Sequence, residues 1–139
     1  MPTDALGQHG HPGLTLELKR DPEAPSLARA AIVGFCEARE LSPATIATVT
    51  LLVSEVVTNA VVHPDAEPPG AVALNAYADP GTIRVEVSDQ GGGFTPRLHD
   101  PSRLEGGYGL YLVDKEATRW GVEAAPKTTV WFEVATAGG

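Results

Sequence analysis

The sequence predicts an α+β domain, and three observations predict it. An apolar run at 51–63 has helical length and is interrupted by polar residues spaced four apart. Two strand-like segments, 71–78 and 82–88, flank the hairpin signal Asp79-Pro80-Gly81. A further strand pattern, 128–136, closes the chain. With 139 residues, 42% hydrophobic and 20% charged, the composition fits one domain with a real core. That domain is expected over 14–136. Ahead of it, Pro2, Gly7, Gly10, Pro12 and Gly13 leave 1–13 with little apolar content, as in a flexible tail.

Leu14-Thr15-Leu16-Glu17-Leu18 alternates apolar and polar, the pattern of a half-buried strand. Pro22 and Pro25 break the chain before a helix over 27–41, whose expected apolar face is Leu27, Ala31, Gly34, Phe35, Ala38 and Leu41. Ser42-Pro43 pairs a capping residue with proline at the first helical position, so the central helix should run from Pro43 to about Val62. Pro64 and Pro68-Pro69-Gly70 stop it. In the second hairpin strand Ile83, Val85 and Val87 alternate with Arg84, Glu86 and Ser88, which predicts one dry face and one wet face. A helix is expected over 108–120 with Gly121 as its cap, then a short segment at 122–124 and the closing strand. The 89–107 stretch, rich in glycine and carrying Pro96 and Pro101, has no sustained period. A segment of that length between a strand and a helix is usually functional.

The net charge of −8 and the absence of a Lys/Arg cluster argue against duplex nucleic acid and anionic membrane as partners. The apolar runs look too short to cross a bilayer, and the N-terminus lacks a basic segment followed by an apolar one. The single cysteine, Cys36, has no internal disulfide partner and no neighbouring cation in the sequence. It is expected to be a small buried residue, and the protein to be cytoplasmic.

Four pieces carry chemistry. On the central helix Glu55, Asn59 and His63 recur every four residues, successive members turning about 40° around the rod, and so form a polar stripe on an apolar helix. A metal, a polar ligand or a catalytic role would give the stripe something to face. Asn59 offers a neutral oxygen suited to Mg²⁺, and Glu55 can accept a proton, though both can also cap or bridge loops. His63, beside Pro64, reads as a packing or helix-dipole residue. The second piece is Asp89-Gln90-Gly91-Gly92-Gly93, a carboxylate at a strand end beside backbone that a flat ring can approach; a glycine turn closed by an Asx interaction is the other reading. The third, Gly106-Gly107-Tyr108-Gly109-Leu110, is a glycine-rich entry into a helix, where free N–H groups favour phosphate. Neither standard nucleotide fingerprint is present. The fourth is Thr128-Thr129 ahead of an apolar strand, ordinary strand residues or hydroxyls that reach a purine pocket.

Together and in this order the pieces resemble the GHKL ATPase superfamily, the Bergerat fold. Glu55-x-x-x-Asn59 matches its asparagine box, Asp89-x-Gly91-x-Gly93 its first glycine box and Gly107-x-Gly109 its second. The similarity covers roughly 14–136. Within the superfamily, SEVVTNAVVH, DQGGGF, GGYGLYLV and TTVWFEV look like the bacterial anti-sigma factor serine/threonine kinases. The resemblance implies a two-layer α/β sandwich, a mixed, mainly antiparallel sheet with helices on one face. It implies ATP and Mg²⁺, with Asp89 on adenine, Asn59 on the metal and Glu55 as general base. Gly107, Gly109 and Leu110 would lie by the phosphates, Gly91 and Gly93 by the ring, and Thr128 and Thr129 in the cofactor site. The implied partners are a sigma factor, a STAS-type anti-anti-sigma protein phosphorylated on serine or threonine, and a second copy in a homodimer. A nucleotide-gated binding module with little or no transfer is the alternative. The two differ in whether Glu55 does chemistry.

Overall fold

The computed structural model describes residues 11–62, 71–89, 109–123 and 128–136. The chain runs β1 (Leu14–Lys19), α1 (Ala24–Glu37), α2 (Pro43–Val62), β2 (Ala71–Asp79), β3 (Thr82–Asp89), α3 (Gly109–Glu116), β4 (Arg119–Glu123) and β5 (Thr129–Ala135). The strands form one five-stranded sheet in the order β1-β2-β3-β5-β4. Each ladder between them is antiparallel, where a mixed, mainly antiparallel sheet was expected. Two of those ladders, β2–β3 and β4–β5, join strands with no helix between them, and such neighbours pair antiparallel without a crossover. Val72, Leu74, Val85, Val87, Phe132 and Val134 share one buried cluster with Ile32, Leu52, Val53, Val56 and Val57 of the helices. The helices therefore cover one face, and the architecture is the expected α+β sandwich.

Helix α2 begins as its sequence dictates. The Ser42 hydroxyl accepts the Thr45 N–H at 3.1 Å and donates to the Thr45 hydroxyl at 3.0 Å, and proline holds the first helical position. Val49, Leu52, Val53, Val56, Val57 and Ala60 are fully buried. By length and composition alone α2 could cross a membrane, contrary to the expectation from its short uninterrupted runs. Those six side chains instead pack it into the core cluster.

Helix α1 starts earlier than expected, with Pro25 inside its first turn, and ends at Glu37, before Leu41. Its core face is Ala24, Ala28, Ile32, Phe35 and Cys36, while Leu27, expected inside, is 55% exposed. Gly34 and Ala38 face outward too. In an alanine-rich helix several rotations satisfy the 3.6-residue period. The one adopted buries Ile32 and Phe35, which carry the most apolar area. Cys36 is buried, and burial pushes its thiol up to about 11, so it is an inert packing residue.

The expected helix over 108–120 divides in two. Helix α3 stops at Glu116, and Arg119 and Trp120 belong to β4. Gly121 is no helix cap: it stands opposite Trp131 in the β4–β5 ladder, and a Cβ added to it would lie 2.8 Å from the indole. Gly121→Ala is expected to cost about 1–3 kcal/mol through this overlap, read as a lowered midpoint in urea unfolding.

The wet face expected for β3 is also different. Arg84 is 1% exposed and Glu86 6%, on the side of the sheet away from the helices. Arg84 Nε donates to Glu86 at 2.9 Å and Nη1 to Glu133 at 2.8 Å, with Cζ 4.2 Å from the centre of the Trp131 ring. Tyr77 donates to Glu86 at 3.3 Å, and Arg119 stands 3.4 Å from Glu133. Burial, then the adjacent Glu86 carboxylate, holds the Tyr77 hydroxyl above the usual phenol range.

Candidate functional site

The helix that fills the core also carries two of the side chains expected in the site, Glu55 and Asn59. Because α2 is apolar on nearly every side, Glu55 and Asn59, one turn apart, sit only half-buried where the apolar pattern breaks. Burial raises the Glu55 carboxyl above its ordinary value of 4.5. That makes its carboxylate a stronger base than a solvated glutamate. Asn59 Oδ1 is buried and accepts no hydrogen bond from the described residues. Leaving such an oxygen unsatisfied costs about 1–3 kcal/mol, so the position favours a ligand that completes it.

An amide oxygen is a hard neutral donor of the kind Mg²⁺ accepts. Among the described residues no group of three or more His, Cys, Asp or Glu could hold a metal. A Mg²⁺ at Asn59 would therefore draw most of its ligands from phosphate and water, which is its usual habit at nucleotide sites. The residues present fit that ion.

Asp89 is the last residue of β3, paired with Val72 of β2. Gly109 opens α3, so the first backbone N–H groups of that helix have no intrahelical acceptor. The Leu110 side chain is 2% exposed and belongs to the core; its N–H is what it can offer a ligand. Gly91, Gly93 and Gly107 lie outside the described residues, as do His63 and the 94–106 stretch.

The two threonines separate. Thr129 pairs with Ser88 in the β3–β5 ladder, and their hydroxyls lie 2.8 Å apart. They share the helix-free face with Glu86 and Trp131, so the Thr129 hydroxyl is committed away from the helices. Thr128 is one residue earlier, on the parity of Val130 and Phe132, which face the helices. The sequence motif alone does not distinguish these two hydroxyls. Ser88, which engages Thr129, was not singled out from sequence; its signal was its place directly before Asp89 on a strand of alternating polarity.

Comparison with known proteins gives a consistent picture. The family model described as the histidine kinase-like ATPase domain matches residues 18–133. No curated protein matches the chain. Among solved structures, one of the RsbU and RsbW domains of Rv1364c from Mycobacterium tuberculosis is similar, with 23% sequence identity and a TM-score of 0.65. The match covers 88% of this chain and 31% of that one. At that identity the shared property is the fold.

Proposed function

Because the chain belongs to the histidine kinase-like ATPase domain family, we propose that it is an ATP-binding anti-sigma factor with serine/threonine kinase activity. It phosphorylates an anti-anti-sigma partner of STAS type and so controls the release of a sigma factor. One observation supports the site best: the Asn59 oxygen is buried without a partner among the described residues, one helical turn from a glutamate made more basic by burial.

The roles follow from chemistry at each position. Asp89 accepts the adenine amino group, with Gly91 and Gly93 leaving room for the ring. Gly107, Gly109 and Leu110 offer backbone N–H groups to the phosphates at the start of α3. Asn59 Oδ1 ligates Mg²⁺, which when bound neutralises charge on the phosphate oxygens. Glu55 takes the proton from the partner's attacking hydroxyl. Thr128, on the helix-facing parity of β5, and Thr129 complete the cofactor site in this reading. The net charge of −8 suits protein partners rather than nucleic acid or anionic membrane. A homodimer in the cytoplasm completes the reading.

The experiment is a thermal-shift titration with ATP, with and without Mg²⁺. At a hundredfold excess over the dissociation constant MgATP should stabilise the wild type by about 2.7 kcal/mol. In Asn59→Ala the part of that stabilisation that depends on Mg²⁺ should vanish while the unliganded protein remains folded. An equal Mg²⁺ dependence in both proteins would remove Asn59 from the metal site. A wild type indifferent to MgATP would refute the nucleotide reading altogether.

A further inference from the structure

The proposed phosphate end of the site is the start of α3, and α3 is only eight residues long. It is anchored in the core through Leu110 and Val113, and Leu112 and, just beyond the helix, Ala117 are partly buried against the same cluster. The anchors within the helix lie in its first five residues, and they fix the depth of a short helix better than its tilt. The tilt is set at its other end. There Ala117 N–H closes the last turn on the Val113 carbonyl at 2.9 Å, and Thr118 N–H donates to the Glu133 carbonyl at 2.8 Å. The Thr118 hydroxyl oxygen accepts the Ala135 N–H at 2.9 Å. These bonds tie the segment after the helix to β5. A fourth reaches back into α3 itself: Trp120 Nε1 donates to Asp114 Oδ1 at 3.0 Å.

Trp120 is the second residue of β4, and its ring packs against the core cluster. The indole is thus held by the sheet while its N–H grips the helix, and the bond spans the turn from α3 to β4. We propose that Asp114 and Trp120 are a positioning pair, which sets the tilt of α3 and so aims its N-terminal amides at the nucleotide phosphates. The inference rests on the nucleotide reading of the site given above. From Asp114 to the start of the helix is about 7 Å at 1.5 Å per residue, so a swing of about 10° displaces those amides by roughly 1 Å. Displacements of that size are enough to impair contacts that depend on geometry.

The test compares MgATP with adenosine, which has the ring and sugar but no phosphate, by isothermal titration. Asp114→Ala and Trp120→Phe should each bind MgATP about fivefold more weakly, the size of one ordinary hydrogen bond. Adenosine should bind both variants as it binds the wild type, because the ring contacts lie elsewhere. Asp114→Asn keeps an acceptor for the indole N–H and should stay within about twofold of wild type for MgATP. Unchanged MgATP affinity in the alanine and phenylalanine variants would overturn the pair's role. So would a parallel loss of adenosine, which marks general loosening, or a loss in Asp114→Asn as large as in alanine. A wild type that binds no MgATP refutes the site reading and the inference with it; binding by wild type with unaffected variants refutes the inference alone.

Discussion

Glu55→Gln is expected to lower phosphoryl transfer to the partner about a hundredfold or more, while MgATP affinity stays within about twofold of wild type. The amide matches the carboxylate in shape but cannot take the proton from the attacking hydroxyl. Transfer is measured with labelled ATP and purified partner, affinity by titration calorimetry. Equal transfer in both proteins would leave a nucleotide-gated binding module as the better account. The same substitution has a second readout, whose sign comes from the raised carboxyl of Glu55. A carboxyl raised by burial favours its neutral form in the folded protein, so ionisation works against folding. The penalty is absent at pH 4, below the ordinary value of 4.5, and grows as pH rises through that value to the higher folded one. Glu55→Gln should therefore melt higher than wild type at pH 8 and level with it at pH 4. That outcome would fit a carboxylate that serves chemistry at a cost in stability. A glutamine variant that melts lower at pH 8 would show instead that the carboxylate is structural.

Arg84→Met is expected to destabilise the protein by about 3–5 kcal/mol, measured by urea unfolding. Arg84 is nearly completely buried and holds Glu86 through Nε and Glu133 through Nη1. Removing it leaves two carboxylates, 8% and 11% exposed, without that cation. The loss belongs to the unpaired charges rather than to the strength of the pairs. Replacing Arg84, Glu86 and Glu133 together by apolar residues of similar volume should recover most of it. Arg84 Nη2 is buried without a partner even in the wild type, so the network is already incompletely satisfied. A triple variant as unstable as Arg84→Met would mean that the network contributes net stability of its own.

What could be read from the sequence was what local chemistry determines. Ser42-Pro43 begins α2, Gly81 with its φ of +79° turns the β2–β3 hairpin, and the spacing of Glu55 and Asn59 puts both on one side of a helix. None of these needs knowledge of a distant neighbour. The features that were misread all depend on one. Leu27 lies outside the core because Ile32 and Phe35 win the helix face. Arg119 and Trp120 continue a helical pattern in sequence, yet β5 offers them a ladder. The polar face of β3 is dry because Glu133, Tyr77 and Trp131 arrive from other strands to close over Arg84. Thr128 and Thr129 look equivalent until the β3–β5 register assigns one of them to Ser88.

The strand order also sets the sequence of events by which the chain acquires its structure. The β2–β3 hairpin and the α1–α2 pair join neighbours in the chain and close short loops. By contrast β1, at the sheet edge, meets β2 only across a wide span: the Thr15 hydroxyl finds the Asn75 side chain sixty residues on. Closing that loop is entropically the slower event, and it gains a single flanking ladder. The hairpin around Gly81 is therefore expected to form before β1 docks, which a φ-value comparison of the two segments would check. Substitutions near the turn should then slow folding, whereas those in Leu14–Lys19 should act on the unfolding rate.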